Sequence, residues 1–278
     1  MDRNLRLNIF SKASLCRNFE ISVFNRIKEG IFKFPIYLSA GEEFIPATLS
    51  TIFGNRNPLI FAQHRAHSTY LCYGGNIVHL IDELLGRESG CAYGMGGSAS
   101  IQSKEIGMYG HDGLMGSQIP IAVGACFSSN KLTMAIMGDA SAEEDYVMSS
   151  IAWAGTKGLP IIFVVEDNNL SILTEKNIRR NWSMNKFAES VNVLGLNMSD
   201  SPEIVYSNIF PLKDTNSPIL LNINTERLFW HAGAGIDEYE KTDRYKIEMD
   251  LLGNDANIIH NSTQKYIEEI WEQRLEIQ

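Results

Sequence analysis

The stretch LTMAIMGDASAEEDYVMSSIAWAGTKGLPIIFVVEDNNL, from Leu132 to Leu170, decides the fold. Leu132 to Met137 is a short apolar run, Ala142 to about Lys157 has the character of a helix, and Pro160 to Glu166 is a second apolar run that closes on Asp167, Asn168 and Asn169. Near-continuous apolarity marks strands buried on both faces, as in a parallel sheet. A strand, a crossover helix and a second parallel strand form a right-handed unit, so the C-terminal ends of both strands reach the same sheet edge. Asp139 and Asn168 become neighbours there, where a carboxylate and an amide oxygen suit a hard divalent cation, Mg²⁺ best. Ser141 and Glu144 have capping-box spacing, which starts the crossover helix just after Asp139 and leaves its free N–H groups ready for a diphosphate. On these residues alone, a plain turn at Gly138-Asp139 and a plain loop at Asp167 to Asn169 remain equally good readings.

Outward from this unit the alternation continues. Leu15, Phe19, Val23, Ile27 and Phe32 mark one face of a helix from Leu15 to about Lys33, and Gly41 to Phe53 opens another. Pro58 to Gln63 reads as a buried strand that delivers His64, Arg65 and His67 at its C-terminal end, where ligands of α/β sheets gather. Ile77 to Leu85 is helical and stops at Gly86, and the glycines crowded between Gly90 and Gly116 predict loop. Ile119 to Ser128 is a helix of small residues, Pro218 to Asn224 a late strand, and Thr263 to Glu276 a polar terminal helix. The expected fold is α/β: a doubly wound parallel sheet with helical N- and C-terminal extensions. We expect one domain over 1–278, with a helical segment about 1–55 and a helical tail about 255–278. Gly94-Met95-Gly96-Gly97-Ser98-Ala99 fits the dinucleotide pattern G-x-G-x-x-A, but no apolar strand precedes it, so a Rossmann site is discounted.

At 278 residues, 44% hydrophobic and 21% charged, the chain can bury a sizeable core. A net charge of −9 opposes a phosphate-neutralising surface, so no nucleic acid partner is expected. Cys16, Cys72, Cys91 and Cys126 are scattered without a C-x-x-C pair and read as reduced thiols of a cytoplasmic protein. No secretory signal or membrane-spanning segment is expected.

With these motifs in place the chain resembles the alpha subunits of thiamine-diphosphate-dependent 2-oxo acid dehydrogenases, over roughly Leu15 to Arg244. The stretch from Gly138 to Leu170 is similar to the family's cofactor motif, a Gly-Asp at one strand end and an Asn pair about thirty residues on. GEEF at Gly41, HRAH at His64, GRESGCAYGMGGSAS at Gly86 and GHDGLMGSQIPIAVG at Gly110 match in the same order. The resemblance implies thiamine diphosphate and Mg²⁺ as cofactors, the metal held by the side chains of Asp139 and Asn168 and the main-chain carbonyl of Leu170. It implies Gly138, Asp139, Ala140 and Asn168 at the cofactor, Arg65 on the diphosphate, and the main chain of Gly113 and Met115 at the aminopyrimidine. His67 and His231 match the family's two active-site histidines. The implied activity is decarboxylation of a 2-oxo acid and transfer of the acyl unit. It needs a beta-type subunit that supplies the aminopyrimidine-activating glutamate, typically in an assembly of two alpha and two beta chains.

The chain departs from the family at several points. Ala140 replaces a usual glycine, His64 stands where many members carry tyrosine, and Asp167 takes the place of the first Asn of the pair. Phe229-Trp230-His231-Ala232 replaces a common His-Gly-His-Ser, which sets two bulky aromatics where the family admits substrate. Two further readings stay open: the N-terminal half of a split transketolase, and a non-catalytic alpha-like binding subunit.

Overall fold

The computed structural model describes residues 1–110, 113–232, 235 and 242–276. In chain order the elements are α1 (Arg3–Lys28), α2 (Phe44–Phe53), β1 (Leu59–Phe61), α3 (His67–Cys72), α4 (Ile77–Leu84), β2 (Met108–Tyr109), α5 (Gln118–Ser129), β3 (Thr133–Gly138), α6 (Asp145–Lys157) and β4 (Ile161–Asp167). There follow β5 (Leu170–Ser171), β6 (Thr174–Glu175), α7 (Lys176–Arg179), α8 (Met184–Ser190), β7 (Leu194–Ser199), α9 (Pro202–Ile209), β8 (Ile219–Asn224), α10 (Arg244–Leu252) and α11 (Asn254–Glu276). Six strands form one sheet in the order β2-β1-β3-β4-β8-β7, every neighbouring pair parallel, and β5 and β6 make a small antiparallel hairpin.

The sheet is buried on both faces because successive side chains of its central strands alternate between two cores. Met134 and Ile136 of β3, Ile162 and Val164 of β4, and Ile219, Leu221 and Ile223 of β8 face a core shared with α1, α2, α3, α4 and α11. Ala135 and Met137 of β3, Ile161, Phe163 and Val165 of β4, and Leu220 of β8 face the other, against α5, α6 and α8. Register is correspondingly tight, with Thr133 opposite Ile161 and Gly138 opposite Glu166. Among the described residues no helix is long and apolar enough to cross a membrane.

The expected strands all form. Both terminal helices start earlier than expected, and α1 ends at Lys28, short of the expected Lys33, so Phe32 lies beyond it. α1 starts at Arg3 because Asp2 accepts a hydrogen bond from Leu5 N (2.9 Å) and because Ile9, Phe10 and Ala13 extend the buried face backward. α11 starts at Asn254, and its Trp271, fully buried, donates to Ser22 Oγ (2.8 Å) and stacks near Phe19 of α1. The anticipated capping box is absent. Ser141 to Glu143 form a short 3-10 turn, Glu144 has extended backbone (ψ 139°), and α6 begins at Asp145 without a side-chain cap on Glu144. β7 is an unexpected edge strand, since LGLNMS mixes polar and glycine positions with apolar ones.

The glycine-rich segment after α4 is organised by Glu83, a fully buried carboxylate near the end of that helix. It accepts hydrogen bonds from the backbone N–H groups of Ala92 (2.7 Å), Gly94 (2.9 Å), Gly96 (2.8 Å) and Gly97 (2.9 Å). Glycine is needed where the wrap is closest: a Cβ on Gly90 would lie 2.5 Å from the Glu83 carboxylate. Replacing Glu83 with Ala leaves these amides without an acceptor, each such loss costing on the order of 1 kcal/mol or more. We expect Glu83→Ala to lower the urea unfolding free energy by about 3 kcal/mol or more. An unchanged midpoint would show that the loop is held by other means.

Candidate active site

β3 and β4 end side by side, so Asp139 and Asn168, each the first residue beyond its strand, emerge at one edge of the sheet. A cavity of about 290 Å³ opens at this edge. Its walls are Gln63, His64 and Arg65 from the end of β1, Met115, Gly138 to Ser141, Glu144, Asn168, Leu170 to Ile172, and His231. Of the residues expected from sequence, Arg65, Met115, Gly138, Asp139, Ala140, Asn168, Leu170 and His231 therefore meet in one place.

His67 and Gly113 do not line it. β1 ends at Phe61 and the chain turns into α3 at His67, which carries that ring into the core. There His67 is fully buried, its Nδ1 3.0 Å from Glu20 Oε1 and its Nε2 2.9 Å from Ser98 Oγ, so both ring nitrogens are committed away from the cavity. His64 stands in its stead. The His64 ring lies 5.2 Å from that of His231, and Tyr37 packs edge-on to both, at 4.9 and 5.4 Å. Gly113 sits on an exposed loop with φ +99°, two residues before the cavity wall at Met115. That wall is fixed by Tyr146 of α6, whose hydroxyl donates to the Met115 carbonyl, and by Gly116, where a Cβ would come 2.7 Å from Val147. His111 and Asp112 of the same motif lie outside the described residues.

The aromatic pair expected to obstruct the cavity is turned away. Phe229 stacks on Phe24 of α1 (4.2 Å, 14°) and belongs to the core, while Trp230 is half-exposed, and neither is part of the cavity wall. An aromatic ring gains more from burial against Phe24 than from standing in a polar cavity.

Electrostatics set the state of these groups. Asp139 is buried, and burial first, then the nearby Asp167, pushes its carboxyl up to about 6, against the opposing pull of Arg179. Arg179 bonds one carboxylate oxygen, Oδ2, while Arg180 donates to the Asp139 carbonyl (3.0 Å) and both arginines pair with Glu143. Asp167 turns the other way, held by Lys176 (2.5 Å) and Asn222 (2.9 Å), while Asp139 and Asn168, the residues just beyond β3 and β4, stand on the cavity wall with Ser141 and Glu144. Behind the wall Gln63 bonds Glu166, whose carboxyl is raised by burial and by Glu42. Arg179, Glu143 and Glu166 were not singled out from sequence, since their partners lie 36 to 103 residues away.

The donor set fits a hard cation with a diphosphate. Two oxygen side chains from adjacent strand ends share a wall with a buried guanidinium. Among the described residues no group of three or more His, Cys, Asp or Glu could hold a metal alone. Further ligands would thus have to come from the main chain, the diphosphate or water, as is usual for Mg²⁺.

Residues 12–208 match the family described as the dehydrogenase E1 component, and the chain belongs to that family. It is 27% identical over 234 residues to the mitochondrial pyruvate dehydrogenase E1 component subunit alpha-1 of Oryza sativa subsp. japonica, covering 81% of this chain and 60% of the relative. It is 28% identical over 241 residues to the mitochondrial subunit alpha of Pisum sativum (81% of this chain, 59% of the relative). The alpha subunit of Rickettsia prowazekii (strain Madrid E) is 26% identical over 239 residues (80% and 72%). The chain thus spans about 60% of the length of the plant relatives. Family membership implies thiamine diphosphate as the cofactor.

His231 gives a pH test of the site. Burial first, then the charges of Arg65 and Arg227, lower its pKa to about 4, so the folded protein holds it neutral at pH 7. Between pH 6.5 and about 4 the unfolded chain binds a proton here that the folded one refuses, so stability falls as the solution is acidified through this window. We expect the ring ¹H–¹³C NMR signals of His231 to stay those of a neutral imidazole at pH 5.5, and His231→Gln to flatten the stability slope between pH 4 and 6.5. Titration near 6.5 would contradict this environment.

Proposed function

We propose that this chain is the alpha-type, diphosphate-binding subunit of a thiamine-diphosphate-dependent oxidoreductase. It decarboxylates a 2-oxo acid and hands the acyl unit to an acceptor, and it works only with a beta-type partner. The reading rests above all on Asp139 and Asn168 leaving adjacent parallel strands into one cavity that also holds Arg65 and His231. Asp139, Asn168 and the main-chain carbonyl of Leu170 would hold Mg²⁺, and Arg65 would meet the diphosphate. The main chain near Gly113 and Met115 would meet the aminopyrimidine. When bound, thiamine diphosphate supplies the electron sink for decarboxylation.

The chain's own residues account for binding and orientation. Arg65 and Arg227 put a positive field on the cavity that favours an anionic substrate, in keeping with a carboxylate. His231, kept neutral, can accept or donate a hydrogen bond at a carbonyl or carboxylate oxygen without adding charge. His64 beside it takes the second histidine position that sequence had assigned to His67. Leu114, Ile172 and Leu173, 58–72% exposed beside or on the cavity wall, support a partner that covers this side. An assembly of two alpha and two beta chains, a cytoplasmic location and independence of nucleic acid and membrane complete the proposal.

Calorimetric titration with thiamine diphosphate and Mg²⁺ tests it. We expect uptake by the wild-type chain with its beta partner, and affinity at least about 100-fold weaker in Asp139→Ala. Turnover of 2-oxo acids with an artificial electron acceptor supports the dehydrogenase reading. Turnover of ketose donors alone would favour a split transketolase, and a folded protein without uptake would favour a non-catalytic binding subunit.

A further inference from the structure

Glu42 lies outside the cavity wall yet touches two residues in it. It sits in the loop before α2, where Gly41 (φ +102°) packs so closely that a Cβ would overlap the carbonyl of Glu226. Its side chain is 1% exposed. Oε1 accepts from Asn168 Nδ2 at 2.8 Å, and Oε2 lies 3.2 Å from Arg65 Nε. Arg65 is steadied further by the Leu38 carbonyl (3.4 Å) and by His64 Nε2 (3.5 Å).

The chemistry of a carboxamide gives this contact its meaning. Asparagine offers an oxygen on one side and an NH₂ on the other, and a cation can use only the oxygen. An ionised carboxylate can only accept, so the group facing Glu42 must be the NH₂. Burial raises this carboxyl, and the Arg65 charge 3.2 Å from Oε2 together with the Asn168 hydrogen bond to Oε1 oppose that by favouring the ionised form. On its far side Asn168 Oδ1 accepts from Leu170 N (3.2 Å), a donor that demands the same orientation.

We propose that Glu42 is a positioning residue: it locks the Asn168 carboxamide with its oxygen toward the cation site and, through the same carboxylate, anchors Arg65 for the diphosphate. The inference rests on the metal and cofactor assignment of the preceding section. Outer partners of metal ligands are commonly worth about 10–100-fold in metal affinity.

The experiment uses Mn²⁺ as the probe, read by electron paramagnetic resonance, with thiamine diphosphate saturating and the chain assembled with its beta partner. Circular dichroism and thermal midpoints check each variant's fold. Glu42→Gln keeps the shape but can turn either face of its amide to Asn168, and we expect Mn²⁺ affinity to fall about 10-fold. Adding Asn168→Asp removes the ambiguity, because an aspartate presents oxygen whichever way it turns. The double variant is expected to recover to within about threefold of wild type, a coupling that a merely structural Glu42 would not produce. Asn168→Asp alone sets two carboxylates face to face and is expected to bind about 10-fold more weakly than wild type, although the change adds a negative ligand. Should Glu42→Gln fail to fold, that single variant decides. Wild-type affinity in Glu42→Gln or in Asn168→Asp, or a double variant no better than Glu42→Gln, overturns the proposal. Asp139→Ala is the reference: if it too binds Mn²⁺ normally, the metal assignment itself fails, whereas its loss beside an unaffected Glu42→Gln refutes the positioning role alone.

Discussion

The in-register parallel pairing of β3 with β4 is the constraint on which the site depends. Six aligned residue pairs, from Thr133 with Ile161 to Gly138 with Glu166, bring the two chain exits level at one edge. A slip of one residue would move every side chain of a strand to the opposite face. It would exchange Phe163 and Val165 for Ile162 and Val164 in the core against α5 and α6, and would displace Asn168 relative to Asp139. Hydrophobic burial on two faces therefore sets the relative height of two polar residues that take no part in the core.

Around this pair the polar groups are arranged in layers. Asp139 and Asn168 face the cavity; Arg179, Arg180 and Glu42 hold them from behind; Lys176 and Asn222 draw Asp167 aside. Burying so many charges is costly unless each is paired, and most here are. The raised carboxyls of Asp139 and Glu166 mark a cost of burial that remains at the edge where a cation with its diphosphate would add positive and negative charge together.

Much of this was legible in sequence because apolar runs and strand-end residues are local signals. β3, β4 and β8 announce themselves as continuous hydrophobic segments, and Asp139 and Asn168 as the polar residues that stop them. The rest was not local. β7 alternates Leu, Asn and Gly at a sheet edge, where one side needs no continuous apolar run. His67 shares a four-residue motif with His64 and Arg65, yet the start of α3 between them rotates it into the core, a turn no spacing rule shows. Glu42 and Glu83 are buried acids whose partners lie 23 and 126 residues away for the first and 9 to 14 for the second. For Glu83 a hint existed in IVHLIDEL, an acid at the buried end of an amphipathic helix directly before a run of glycines.

The grip of Glu83 on its loop also decides how that segment can open. One carboxylate accepts from all four amides, Oε2 from Ala92 and Gly94 and Oε1 from Gly96 and Gly97, so a movement that withdraws Glu83 frees them at once. The loop consequently behaves as a single cooperative unit, whose amide protons exchange with solvent together or hardly at all. Anything that seats against it would meet a rigid surface already shaped, with little ordering entropy left to lose.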